Sequence, residues 1–156
     1  MPTKIRVLEE EEAIEPIVHL LGSRRFIRIN GHSGHGKTRL AKAITARLGW
    51  PRFSLDEYLP LSPPRRPYHQ LVDTDRLRSD LAAMQDKGAV VEGIWLDQLV
   101  PVDRFGAELK IYMLSLFSPE YELDERMRRR QFRTPLYHRE YRPDFWAEIV
   151  ILKVAG

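Results

Sequence analysis

Apolar residues follow strand-like and helix-like spacings in alternating stretches of the chain. Runs of β-branched and aromatic residues predict strands at about 26–30, 52–55, 89–92, 109–114 and 147–152. Apolar residues that recur every three or four positions predict helices at about 8–21, 37–48, 74–86 and 119–132. Pro16 lies inside the first of these helices, which therefore has to kink or begin late.

The alternation of strands and helices predicts an α/β fold with a parallel sheet covered on both faces. The 156 residues contain no repeat or obvious linker, so we expect a single domain, with an N-terminal helical segment over 1–23. Gly31 and Asp56 come directly after predicted strands, and Glu92 ends one. Because ligands of such sheets bind at the carboxyl ends of the strands, we expect these residues to converge on one edge.

Composition excludes several classes of protein. The chain has no cysteine, which rules out disulfides and thiolate metal sites and fits an intracellular protein. The N-terminal region is acidic and no apolar run approaches the roughly 20 residues of a membrane span, so we expect a cytoplasmic protein without a membrane partner. The net charge is +3, but seven arginines fall between Arg126 and Arg142. Such a cluster favours anionic partners, phosphates first and nucleic acid second.

A complete phosphate-binding motif, G-x-x-x-x-G-K-[ST], lies between the first strand and the second helix; its residues are Gly31, His32, Ser33, Gly34, His35, Gly36, Lys37 and Thr38. Glycines allow several backbone N–H groups to point at one anion, and the helix that follows adds its positive end. Lys37 can reach the β- and γ-phosphates, and the Thr38 hydroxyl can ligate Mg²⁺. The motif predicts a site for a nucleoside triphosphate, preferentially ATP with Mg²⁺. The two histidines lack partners for a metal set and are interpreted as loop surface.

Two carboxylates are candidates for the chemistry opposite this loop. Asp56 can orient a hydroxyl acceptor and accept its proton, although an aspartate at this position can also cap a turn. Glu92 can orient Mg²⁺ directly or through water, although it can also be a solvated strand end. Glu57 and Asp97 are weaker candidates for the same edge.

The predicted helix at 119–132 carries a cluster of arginines, and four of them fall on one face: Arg126, Arg129, Arg130 and Arg133. Their mutual repulsion is relieved by an anion, and a polyphosphate suits the bidentate guanidinium groups. The alternative is a solvated basic face. Nucleic-acid binding is disfavoured because few aromatic residues are interleaved with the arginines.

Together these segments resemble the uridine kinase-like family of P-loop kinases, which also includes phosphoribulokinase and bacterial pantothenate kinase. The segment 54–58 (SLDEY) is similar to the family's S-x-D-[DE]-[FY], and 90–94 (VVEGI) is similar to its V-x-E-G-I. The run from Arg126 to Arg133 is similar to its lid pattern, R-L-x-R-R-x-x-R-D.

The resemblance implies a P-loop NTPase three-layer sandwich whose five-stranded parallel sheet has the order 2-3-1-4-5. It implies that Asp56 is the catalytic base, that Lys37 and Thr38 serve phosphates and magnesium, and that Tyr58 lies by the acceptor. It also implies an ATP lid over about 119–143 that contains Arg126, Arg129, Arg130 and Arg133. Glu92 is, in addition, a candidate for the substrate side of the site.

Three functions remain open at the level of the sequence. The favoured one is an ATP-dependent small-molecule kinase that transfers the γ-phosphate to a hydroxyl. The others are a P-loop NTPase switch or motor, for which the guanine motif N-K-x-D is missing, and a non-catalytic nucleotide-binding module. The acceptor and the formation of a homo-oligomer are left open.

Overall fold

The computed structural model describes residues 5–8, 12–31, 36–62, 66, 68–94, 96–115 and 146–153. The strands are β1 (Ile5–Leu8), β2 (Phe26–Gly31), β3 (Arg52–Ser54), β4 (Ala89–Glu92), β5 (Glu108–Ser115) and β6 (Ile149–Lys153). The α-helices are α1 (Ile14–Leu21), α2 (Lys37–Leu48), α3 (Tyr68–Leu71), α4 (Thr74–Ala82) and α5 (Leu96–Leu99), and a 3₁₀ turn covers Leu55–Tyr58.

All the strands join one parallel sheet in the order β1-β6-β5-β2-β4-β3. The five predicted strands therefore lie in the expected order 2-3-1-4-5, and the predicted fold class is confirmed. The β4 strand pairs with β2 on one side and with β3 on the other, and Glu92 stands level with Ile29 and Ser54. This register brings the carboxyl ends of three neighbouring strands together at one edge.

The N-terminal segment differs from the prediction. A parallel strand, β1, lies at the edge of the sheet beside β6, within the segment expected to be helical. The predicted helix at 8–21 begins at Ile14, which places Pro16 in its first turn. Proline is tolerated there because the first four N–H groups of a helix have no partner within it.

The sheet is buried on both faces, as its apolar strands require. One core lies against α1 and α2 and includes Ile29, Leu40 and Ile44. The other lies against α4, α5 and the 3₁₀ turn and includes Leu55 and Leu77. The middle strand β2 is buried along its whole length. Packing on both faces therefore fixes the position of its carboxyl end, from which the phosphate motif begins.

Residues at the helix ends explain the observed bounds. Gly36 before α2 and Gly49 after it both have left-handed backbone conformations, and the Gly49 N–H donates to the Thr45 carbonyl (2.8 Å). Asp73 caps α4 by accepting from the Arg76 N–H (3.2 Å), and that helix ends at Ala82, four residues before the predicted Asp86. The predicted helix at 119–132 lies outside the described residues. No helix in the described part of the chain is long and apolar enough to cross a membrane.

Candidate functional site

The phosphate loop begins and ends on described residues, between which His32, Ser33, Gly34 and His35 lie outside the described part. Gly31 ends β2 directly against β5, where a Cβ atom would lie 2.8 Å from the Met113 carbonyl oxygen. Gly36 has a φ of 87°, which glycine adopts without strain. The two glycines that the pattern requires, Gly31 and Gly36, therefore each have a backbone reason to be glycine.

The first residue of α2 is Lys37, whose side chain is buried. Burying an ammonium group costs free energy unless anionic or polar groups compensate. At the N-terminus of an α-helix, such a cation adds its charge to the positive end of the helix. This arrangement suits phosphate oxygens.

The side chains of Thr38 and Glu92 meet across the gap between α2 and the end of β4. The Thr38 hydroxyl donates a hydrogen bond to Oε2 of Glu92, and the Ser54 hydroxyl donates to Oε1 (3.2 Å). Glu92 is only 3% exposed, so these hydrogen bonds satisfy a carboxylate that water reaches poorly. They fix its direction and that of the threonine oxygen.

The oxygens of Thr38 and Glu92 fit a magnesium ion that is held mainly by nucleotide phosphates. Mg²⁺ prefers hard oxygen ligands and usually takes one or two from protein side chains. A hydroxyl that donates its hydrogen to a carboxylate keeps an oxygen lone pair for a metal. Within the described residues, no group of three or more histidines, aspartates and glutamates forms a closed metal site of its own.

Arg52, the first residue of β3, is a member of this cluster that sequence reasoning missed. Its guanidinium group lies 2.8 Å from Oε1 of Glu57 and 3.6 Å from Oε2 of Glu92. The alternation of side chains along β3 places Arg52 on the same face of the sheet as Ser54. That alternation is the signal that could have identified it.

Asp56 lies in the 3₁₀ turn that follows β3 directly. The turn buries Leu55 and Tyr58 on the sheet side, whereas Asp56 is exposed. The pattern of buried and exposed residues therefore directs the carboxylate of Asp56 away from the core at the carboxyl edge of the sheet. A group there is accessible to a small molecule.

Tyr58 anchors the same turn to α4. Its hydroxyl donates to Oδ2 of Asp80 (2.5 Å), and the Arg76 guanidinium lies 4.5 Å from the centre of its ring. Burial, together with this hydrogen bond, raises the pKa of Tyr58 above its ordinary value. The family resemblance implies that Tyr58 lies by the acceptor, which stays a prediction; in the structure its hydroxyl donates to Asp80.

Gly93 lets the turn approach the end of β4. A Cβ atom at this position would lie 2.5 Å from Cγ and Cδ1 of Leu55. The glycine of the V-x-E-G-I segment thus allows the turn that carries Asp56 to pack directly beside Glu92.

A buried polar cluster on the opposite face supports the start of the phosphate loop. Asn30, the residue before Gly31, donates to Oδ1 of Asp97 (3.0 Å). The same oxygen pairs with Arg28 (2.9 Å), which also pairs with Glu108 (2.8 Å). Asp97, a weaker candidate for the chemistry, therefore lies among buried groups that hold β2.

The predicted site residues that the structure describes lie at the carboxyl ends of β2, β3 and β4, or on the helix and turn that follow them: Gly31, Gly36, Lys37, Thr38, Asp56, Tyr58 and Glu92. The predicted lid residues Arg126, Arg129, Arg130 and Arg133 lie outside the described residues.

Among solved structures, the chain is similar to a possible uridine kinase from Bacillus stearothermophilus, with a TM-score of 0.61 and 14% sequence identity over 91% of this chain and 96% of that one. It is also similar to a gluconokinase from Sinorhizobium meliloti 1021, with a TM-score of 0.42 and 22% identity over 85% of each chain. No protein-family model matches the chain, and neither does a curated protein sequence.

The first of these similarities establishes the fold. The chain has a fold similar to that of the possible uridine kinase, with the five predicted strands in the sheet order 2-3-1-4-5 and helices around the sheet. The resemblance to uridine kinase-like proteins that the sequence motifs indicated is confirmed as a structural likeness at low sequence identity.

Proposed function

We propose that this protein is an ATP-dependent small-molecule kinase that transfers the γ-phosphate of ATP to a hydroxyl group. The observation that carries the proposal is the position of Asp56, an exposed carboxylate at the carboxyl end of β3. The strand β2, which leads into the phosphate motif and Lys37, lies two positions from β3 in the sheet, and its carboxyl end is at the same edge. A base and a phosphate site on one edge are what transfer to an alcohol requires.

The proposed reaction divides the roles among these residues. The acceptor oxygen attacks the γ-phosphorus, the bond from that phosphorus to the β,γ-bridging oxygen breaks, and ADP leaves with the electron pair of that bond. Asp56 orients the acceptor hydroxyl and takes its proton. Lys37 and the backbone N–H groups of residues 31–38 bind the β- and γ-phosphates.

Magnesium, when bound with ATP, neutralises charge on the phosphates. Thr38 is the proposed protein ligand, and Glu92 orients it through the hydrogen bond that the two side chains share. Glu92 also serves the substrate side of the site in this proposal. The residues Arg126, Arg129, Arg130 and Arg133 are proposed to form the lid, in which Arg126 and Arg130 stabilise the transferring group.

Tyr58 is proposed to contribute to the acceptor side through the turn. Because its hydroxyl donates to Asp80, it holds Asp56 in position beside the acceptor. Binding of ATP and a small hydroxyl-bearing substrate accounts for these roles without a membrane or a nucleic acid.

The experiment that tests the proposal is ADP release from Mg-ATP, measured over a panel of nucleosides, sugars and vitamin-like alcohols. A kinase gives a rate that depends on one class of acceptor and is lost in Asp56→Asn. The matched control is Asp86→Asn, an exposed aspartate that precedes β4 at the opposite edge of the sheet; it keeps the rate. Turnover without any acceptor would favour an NTPase instead. Nucleotide binding without turnover would favour a binding module.

A further inference from the structure

Arg52 connects two acidic residues that belong to different parts of the candidate site. Its ion pair with Glu57 reaches the turn that carries Asp56, and its contact with Glu92 reaches the carboxylate that directs Thr38. The Arg52 side chain is 20% exposed, against 56% for Glu57 and 4% for Glu92. The guanidinium group therefore spans from the surface to a buried carboxylate.

The contact with Glu92 differs from an ordinary surface ion pair. Oε2 of Glu92 accepts a hydrogen bond from the Thr38 hydroxyl and also forms an ion pair with the Arg52 guanidinium, at 3.6 Å. A buried carboxylate costs free energy unless it is paired and hydrogen-bonded. Arg52 supplies a charge, and Thr38 and Ser54 supply the hydrogen bonds.

Negative charge accumulates at this edge of the sheet. Asp56, Glu57 and Glu92 lie within two neighbouring strand ends, and the proposed ligand is itself a polyphosphate. Like charges at short range oppose binding unless cations lie between them. Magnesium offsets this repulsion when it accompanies the nucleotide, whereas Arg52 offsets it permanently.

We propose that Arg52 is a built-in counter-charge for Glu57 and Glu92, which offsets their repulsion of a bound polyphosphate when Mg²⁺ is absent. The proposal rests on the nucleotide site of the proposed function. It follows that Arg52 sets how strongly nucleotide binding depends on Mg²⁺. A purely structural residue would affect nucleotide affinity equally with and without Mg²⁺, whereas the effect of Arg52 on that affinity depends on whether the metal is present.

The test measures the dissociation constant of ADP by titration calorimetry, once with saturating Mg²⁺ and once with EDTA. In Arg52→Gln, we expect the affinity in EDTA to fall about fivefold more than the affinity with Mg²⁺, the size of one partly exposed ion pair. Arg52→Lys, which keeps the charge, restores most of the affinity in EDTA. Glu57→Gln removes a negative charge from the site, so we expect the affinity in EDTA to rise relative to the affinity with Mg²⁺.

The matched control is Arg47→Gln. Arg47 pairs with Glu15 at 2.9 Å on the exposed surface of α1 and α2. The substitution therefore removes an ion pair of the same kind at a position away from the site. We expect its ratio of affinities to equal that of the wild type. Circular dichroism checks that each variant is folded, and Glu57→Gln carries the test if Arg52→Gln does not fold.

Two results distinguish the failure of this inference from failure of the proposed function. If the wild type binds Mg-ADP but Arg52→Gln and Glu57→Gln keep its ratio of affinities, Arg52 is a structural residue and the inference is wrong. An equal loss of affinity with and without Mg²⁺ in Arg52→Gln would likewise show that Arg52 is a structural residue. If the wild type binds no nucleotide, the proposed function itself is wrong.

Discussion

The Thr38 hydroxyl donates a hydrogen bond to the buried carboxylate of Glu92, which joins the first turn of α2 to the carboxyl end of β4. One residue belongs to the phosphate motif and the other to the strand beside it in the sheet. The two motifs that the sequence presents separately therefore form one cluster of oxygens.

Glu92→Gln should weaken magnesium-dependent nucleotide binding while leaving the fold intact. An amide keeps the shape of the side chain but loses the charge that orients the Thr38 hydroxyl. Loss of such an orienting group lowers metal affinity by about 10- to 100-fold. Titration of Mg²⁺ into protein saturated with ADP measures this affinity. An unchanged magnesium affinity would show that Glu92 only supports the strand end.

Gly93→Ala should destabilise the protein because the new methyl group overlaps the Leu55 side chain. The overlap, with atoms at 2.5 Å, forces the turn away from β4, and overpacking of this kind costs about 1–3 kcal/mol. Urea unfolding measures the free energy. The same substitution in a Leu55→Ala background should cost less, because Cγ and Cδ1 are gone and only the Cβ contact at 2.9 Å remains. Equal costs in both backgrounds would contradict the close packing of Leu55 on Gly93.

Tyr58→Phe should lower the free energy of unfolding by about 1–2 kcal/mol, because the hydrogen bond to Asp80 is lost. A double-mutant cycle with Asp80→Asn isolates that bond. If the two substitutions are simply additive, the hydroxyl and the carboxylate do not interact and the turn is held by packing alone.

The raised pKa of Tyr58 also predicts a dependence of stability on pH. The folded state keeps the phenol proton at pH values where the unfolded state, with a tyrosine pKa of about 10, has lost it. The contribution is therefore fully present below pH 10 or so and declines as the pH rises above it. The difference in unfolding free energy between the wild type and Tyr58→Phe should shrink over that alkaline range. A constant difference would contradict the raised pKa.

Arg28→Met should be severely destabilising, because it leaves Asp97 and Glu108 buried without their cation. Breaking a buried ion pair on one side costs about 3–5 kcal/mol. The triple variant Arg28→Met, Asp97→Asn and Glu108→Gln should recover part of this loss, as measured by urea unfolding. Failure to recover would show that the arginine acts through packing and through its hydrogen bonds to the Val100 and Pro101 carbonyls rather than through charge.

The sequence predicts those parts of the fold that local chemistry determines. The bounds of α2 agree with the prediction at both ends, since glycines in left-handed conformations flank the helix. The strand order could be predicted because the motifs resemble those of a family whose strand order is known, and the structure confirms it. The edge strand β1 was missed: four residues at an edge carry too short a pattern to distinguish a strand from the start of the next helix.

The connections within the site were harder to predict. Arg52 and Asp80 belong to no motif, and their roles arise only when strands pair or a helix packs on a turn. Arg28 has the pattern of a strand residue facing solvent, yet it is buried against two acids that lie 69 and 80 positions further along the chain. Long-range pairs of this kind leave no signal in local spacing.

The most direct test of the proposed phosphoryl transfer follows the phosphate itself. The protein is incubated with γ-labelled Mg-ATP and a mixture of small hydroxyl compounds, and the label is traced by chromatography in the wild type, Asp56→Asn and Asp86→Asn. We expect a labelled phosphate ester in the wild type and in Asp86→Asn that disappears in Asp56→Asn. Label that appears only as inorganic phosphate, or a labelled ester that persists without the Asp56 carboxylate, would contradict the proposed transfer.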